Sequence, residues 1–156
     1  MSDHRNIARI SEEIRLYQPG ADWLRLDELL QELFGHPIEQ VPPALLLDIF
    51  ERFPLHDGFG VFWSALHGLE DIPAYEPHLL ASLRRQPSRF GLIMARRILN
   101  DPHRDTSLVQ QLRDTLVAIN SRTDLPSELL SEAEKLLHLS WLPPKGARPG
   151  HQRRDA

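Results

Sequence analysis

The sequence predicts an all-α fold, and three observations carry that expectation. Leucine dominates, with 27 copies against 4 valines and 3 threonines. Helices favour leucine, whereas strands favour β-branched side chains. Apolar residues recur three and four apart along most of the chain, the spacing of a single helix face. Prolines, glycines and an Asp-Gly pair punctuate these runs at intervals of about a helix length.

About eight helices follow in order. The first covers roughly Ile7 to Tyr17, with Ile7, Ile10 and Ile14 on one face, and Pro19-Gly20 breaks it. Asp22 is placed to cap the second, whose apolar stripe is Trp23, Leu26, Leu30, Leu33 and Phe34. Gly35 suits a left-handed residue just past its end. The third starts at Pro42-Pro43, because proline is tolerated in a first turn. It buries Leu46, Ile49, Phe50 and Phe53 and turns Asp48, Glu51 and Arg52 the other way. Pro54 and Asp57-Gly58 mark a turn. The fourth runs from about Gly58 to Leu69 with Phe59, Phe62, Leu66 and Leu69 inward. The fifth covers about Tyr75 to Arg85, with Leu79, Leu80 and Leu83 as its stripe.

The sixth, Arg89 to Leu99, is apolar almost all round and belongs at the centre. Asn100 and Pro102 stop it. The seventh covers about Ser107 to Asn120 on a Leu108, Leu112, Leu116 and Ile119 face. The eighth covers about Pro126 to His138 with Leu129, Ala133, Leu136 and Leu137. The third pairs with the fourth, the fifth with the sixth and the seventh with the eighth, at a spacing near the helical-repeat range. The expected architecture is a short stack of antiparallel hairpins, like a HEAT-type solenoid, with an irregular bundle as the alternative. The expected core includes Leu46, Phe50, Phe62, Leu66, Phe90, Ile93, Leu112 and Leu116.

Residues 1–142 are read as a single domain, long enough to bury a core without a metal or disulfide staple. Residues 143–156 are basic and rich in proline and glycine, and they are expected to form a disordered tail. The chain has no cysteine, which excludes disulfides and thiolate chemistry and suits the cytoplasm. No stretch reaches the ~20 apolar residues of a membrane span, and the polar start Met1 to Asn6 does not read as a signal peptide. Charge is unevenly placed. Residues 1–76 carry 14 acidic and 5 basic side chains, and residues 77–156 carry 8 and 13. The acidic half is unsuited to nucleic acid or an anionic membrane and suited to a basic partner, unless both halves are simply solvated.

The segment from Phe59 to Glu76 holds the most unusual pattern. Trp63, His67 and Glu70 share one helix face, and Asp71, Tyr75 and Glu76 follow at once. A metal or acid–base site is one reading, since His67 and Glu70 stand three apart. Carboxylate bundles need two such pairs and further glutamates, and only one is present. A second reading is structural: Trp63 packs between hairpins, His67 is satisfied locally and Glu70 pairs with an arginine of the sixth helix. A third is a binding surface, because interfaces favour Trp, Tyr and Arg anchors within a polar rim. No phosphate loop, nucleophile elbow or zinc-protease motif occurs, and no catalytic residue, metal or cofactor is expected. His36, His56, His78 and His103 read as surface histidines. Arg84-Arg85 and Arg96-Arg97 invite a nucleic-acid reading, but adjacent helical residues diverge by about 100° and form no strip.

The segments FWSALHGLE and YEPHLLASLRRQPSRFGLIMARRILN resemble helical immunity proteins of bacterial polymorphic-toxin and contact-dependent growth inhibition systems. Phe62, Trp63, His67, Glu70, Tyr75, Glu76, Ser82, Pro87, Arg97 and Asn100 carry the resemblance, which covers about residues 60–100. It implies a cytoplasmic, non-enzymatic antidote that binds and occludes a cognate toxin domain, with a basic nuclease the toxin class an acidic surface suits. The rival is a helical interaction scaffold or adaptor unrelated to toxins. Candidate contact residues are Asp48, Glu51, Asp57, Trp63, His67, Glu70, Asp71, Tyr75 and Glu76.

Overall fold

The computed structural model describes residues 5–18, 20 and 22–143. The tail expected at 143–156 lies outside the described residues except for Pro143. Among the described residues there are eight α-helices and no strand. They are α1 Ile7–Leu16, α2 Trp23–Phe34, α3 Pro43–Arg52, α4 Val61–Asp71, α5 Glu76–Arg85, α6 Arg89–Asn100, α7 Thr106–Asn120 and α8 Ser127–Leu139. Short 3-10 turns at Ile38–Gln40 and Gly58–Gly60 precede α3 and α4.

Five of the eight helices start on a local signal. Asn6, Ser88 and Asp105 cap α1, α6 and α7, each side chain accepting from a backbone N–H of the first turn. Proline occupies the first turn of α3 and α5, where its missing N–H costs nothing. Consecutive helices pair as four hairpins, α1–α2 included. The odd-numbered helices also pack in series, α1 on α3, α3 on α5 and α5 on α7. The even-numbered ones do the same, α2 on α4, α4 on α6 and α6 on α8. The result is a two-layer hairpin stack, the solenoid-like alternative of the two expected. One hydrophobic core draws on all eight helices, and α6 touches α3, α4, α5, α7 and α8, central as expected, although Arg89, Arg96 and Arg97 leave it one exposed polar side rather than an apolar surface all round. At Gly68 the ring of Phe34 fills the space a Cβ would need, so this glycine lets α2 and α4 close up.

Arginines tie the odd layer together at its helix ends. Arg52, the last residue of α3, donates to Tyr17 O and Ile14 O at 2.8 Å each, at the end of α1. Arg85, the last residue of α5, grips Glu51 of α3 through two bonds of 2.6 and 2.9 Å. Arg122, just past α7, donates to Arg84 O and Arg85 O at the end of α5. A helix leaves its last carbonyls without intrahelical donors, and its C-terminal dipole attracts cations. The next helix of the layer supplies the missing donors at α1 and α5, and an ion pair does the joining at α3.

Several expectations are corrected. Phe59 is not inward but 78% exposed, because its backbone is left-handed and lies outside α4. Gly35 has a right-handed backbone (φ −71°), so glycine is not required there for its conformation. Asp22 stands at the N-cap of α2, but its side chain makes no capping bond. Phe53, just past the end of α3 at Arg52, is only half-buried, its ring packed edge-on to Trp23 (5.4 Å between centroids) at the margin of the core. Ile93 is only partly buried, at the edge of the core, while the other seven expected core residues are fully enclosed. His36 and His56 are half-buried rather than surface residues. The His36 ring nitrogen Nε2 bonds Arg5 O at 2.9 Å, and the His56 ring stacks on Trp23 with centroids 4.5 Å apart.

Candidate functional site

The outward face of α4 carries the cluster that the sequence singled out. Trp63 stands edge-on to Phe90 of α6, 5.3 Å between centroids, and stays 41% exposed. His67 follows one turn on, its ring 6.0 Å from that of Trp63. Its Nδ1 lies 3.7 Å from Glu70 Oε1. Arg97 of α6 donates Nε to both Glu70 oxygens at 2.9 and 3.1 Å, so the expected α4–α6 ion pair forms. That pair lies at the surface, so Arg97 is not turned inward. Tyr75, at the start of α5, is half-buried. Burial, then the charges of Glu76 and Glu70, push its phenol up to about 12. The hydrogen bond to Glu70 holds the Arg97 guanidinium above its ordinary value.

Trp63, His67, Glu70, Tyr75 and Glu76 therefore come together over α4, α5 and α6, with Arg97 as the partner. Asp71 is exposed at the end of α4. Asp57 lies at the other end, before α4, where its carboxylate accepts from Phe59 N at 3.0 Å. Asp48 and Glu51 belong to the opposite layer. Asp48 lies 2.9 Å from Arg52 Nε, and Glu51, with its side chain 11% exposed, is held by Arg85. The spacing along the chain did not reveal that split. Among the described residues, no three His, Asp or Glu side chains gather closely enough to share a metal ion.

The paired arginines are each committed internally. Arg84 donates to Thr115 Oγ1, Arg85 to Glu51, Arg96 to Glu132 and Arg97 to Glu70. Neighbours in sequence reach different helices, as the helical angle requires.

The sequence marks a turn at Asp57-Gly58, but it does not show that the turn runs on through Phe59 and Gly60 before α4 begins. Gly58, Phe59 and Gly60 all have positive φ, at 64°, 49° and 90°. At Gly58 a Cβ would also collide with the Phe62 ring. A phenylalanine in the left-handed region costs about 1–2 kcal/mol. The local bonds that hold it there are Gly58 N to His56 Nδ1 at 2.7 Å and Phe59 N to the Asp57 carboxylate. Because Nδ1 accepts, the proton of the His56 ring sits on Nε2. Glycines on both sides of Phe59 were the available signal, and helical spacing with Phe62 and Leu66 hid it.

Chemically, the α4 face offers a half-exposed indole, an imidazole and a fixed carboxylate–guanidinium pair, the side-chain mixture of a recognition surface. No family model, curated protein or solved structure matches this chain.

Proposed function

We propose that this chain is an immunity protein that binds a cognate toxin domain and neutralises it by occlusion, in the cytoplasm and without chemistry of its own. One observation carries the reading. Trp63, His67, Glu70, Tyr75 and Arg97, which carry the resemblance to helical immunity proteins, are scattered over 35 residues of sequence yet converge on one surface. Their contacts brace α4 against α6 and leave an indole exposed beside them. A rigid, preorganised surface loses little entropy on binding, which suits a tight inhibitor. Asp48 and Glu51 are already bonded within the odd layer, so the steering charge for a basic toxin falls to carboxylates without an arginine partner, Asp27, Asp57 and Asp71 among them. Such charges act mainly on association rate and its salt dependence.

The test is co-expression with the product of the adjacent upstream gene. A stable complex on purification, together with protection of cells from that product, supports the reading. Failure of both ends it. The hairpin stack favours a second reading, a helical scaffold or adaptor, because stacked hairpins present extended surfaces to partners. A partner that is bound without being toxic to cells would select it.

A further inference from the structure

We infer that the turn Asp57–Gly60, with Phe59 at its tip, is the anchor through which this protein docks a basic partner protein that offers an apolar socket. The inference rests on the reading of the chain as a binding protein and names the surface and the chemistry it recognises.

Phe59 differs from the aromatic rings around it. Trp23, Phe50, Phe62 and Phe90 interlock at centroid separations of 5.4–5.5 Å and are buried. Phe59 touches that cluster only at its edge, through His56 at 5.5 Å. Hydrophobic gain therefore does not account for a phenylalanine here, and its backbone conformation disfavours one. Yet the position is rigidly built. His56 stacks on Trp23 and accepts from Gly58 N, Asp57 accepts from Phe59 N, and the Phe62 ring closes the space beneath Gly58. A ring held in solvent by a fixed turn has lost its conformational freedom before any partner arrives, so binding does not have to order it.

The surroundings define the partner. Beside Phe59 lies a shallow depression of about 350 Å³, lined by Trp23, Leu24, Asp27, Gly60 and Val61. Leu24 is 64% exposed and extends the apolar surface. Among the described residues, the one charged side chain that lines it, Asp27, is acidic. Asp27 bonds only Gln31, Asp57 bonds the turn backbone and lies 3.7 Å from His56 Nδ1, and the Asp22 side chain makes no capping bond. The nearby cation, Arg25, is turned away onto Glu13 and Glu28. An apolar centre with an acidic rim fits a protein that places lysine or arginine around an apolar socket. The same rim disfavours a second copy of this chain, which would set carboxylate against carboxylate. It also disfavours nucleic acid and anionic lipid.

The experiment pans a phage-displayed library of random peptides on the immobilised full chain and measures the selected peptides against variants. Phe59→Asn is the main variant, because asparagine tolerates the left-handed backbone and the side chain is exposed, so the fold is retained. Its melting temperature should be no lower than that of wild type. Selected peptides should combine lysine or arginine with an aliphatic or aromatic residue. Their affinity should fall about thirtyfold on Phe59→Asn, the loss expected of a central anchor. Asp27→Lys should weaken them and reduce their salt dependence. Acidic peptides, peptides that bind Phe59→Asn as tightly as wild type, or a library that never enriches would overturn the inference. The two readings fail separately. Peptides that need Phe59 while no toxin co-purifies keep the anchor and remove the immunity role. A toxin that binds Phe59→Asn undiminished keeps the role and removes the anchor.

Discussion

The layer of α1, α3, α5 and α7 and the layer of α2, α4, α6 and α8 share one core but leave different groups at the surface. In the odd layer, charge is used up in joining helices. Arg52, Arg85 and Arg122 each reach back to the end of the preceding odd helix, and Asp48 and Glu51 are absorbed in the process. In the even layer the ion pairs Glu70–Arg97 and Arg96–Glu132 bridge helices at the surface. Leu24 and Trp63 stay exposed in that layer, and Phe59 stays exposed at its entry to α4. The difference shows that a carboxylate's place in the sequence says little about its availability to a partner. What matters is whether a guanidinium in the next hairpin has already taken it.

The largest expected effect separates two phenylalanines three residues apart. Phe62→Ala removes a fully buried ring shared by both layers and should cost about 3–5 kcal/mol, read as a fall in the denaturant midpoint. Phe59→Asn should leave stability unchanged or raise it by up to about 1 kcal/mol, because a strained residue is replaced by one that tolerates the conformation. Equal losses at the two sites would mean that Phe59 is packed after all.

A smaller effect contrasts arginines of the two layers. Arg52→Ala leaves the Tyr17 carbonyl without its donor and Ile14 O with only the Tyr17 N–H, and should cost about 1–3 kcal/mol. Arg97→Ala breaks a surface pair and should cost under about 1 kcal/mol. Urea titrations of both variants make the measurement. A costlier Arg97 would show that the even layer depends on its ion pair as much as the odd layer depends on its helix-end bonds.

Alkaline pH probes the two phenols at helix ends of the odd layer, Tyr17 just past α1 and Tyr75 at the start of α5. Burial raises both, Tyr75 from the ordinary 10 to about 12. A raised phenol binds its proton more tightly in the folded chain. Its stabilising contribution is therefore complete below the ordinary value and is lost as pH rises through the folded one. Stability should fall between pH 10 and 12, and Tyr75→Phe should shrink that fall. A phenolate forming near pH 10 in the folded Tyr17→Phe variant would contradict the burial of Tyr75.

The smallest effect lies at acid pH. Hydrogen bonds from Arg5 hold Glu13 and Glu32 below the ordinary carboxylate range. Their contribution is complete above the ordinary range and is lost as pH falls through the lowered values. Arg5→Gln should reduce stability above the ordinary range and flatten its acid dependence. An unchanged acid limb would mean that solvent already screens the α1–α2 pairs.

Leucine excess, helical spacing and proline–glycine punctuation were enough to determine the all-α class, the eight helices and most of the core, because a helix buries one face wherever it packs. The Trp63–His67–Glu70 face was legible for the same reason, being local to one helix. Other features depend on contacts between hairpins. Spacing could not show that Arg97 rather than another arginine meets Glu70, or that Asp48 and Glu51 lie on the opposite layer from Trp63. It could not show that Arg52 serves the end of α1. Phe59 reads as a core position from its spacing with Phe62 and Leu66, but the bonds to His56 and Asp57 fix a left-handed turn, so the helical register begins only at Val61, two residues later. Periodicity reports which way a side chain points only while the backbone remains helical, and at Phe59 the tertiary contacts of its neighbours set the backbone instead.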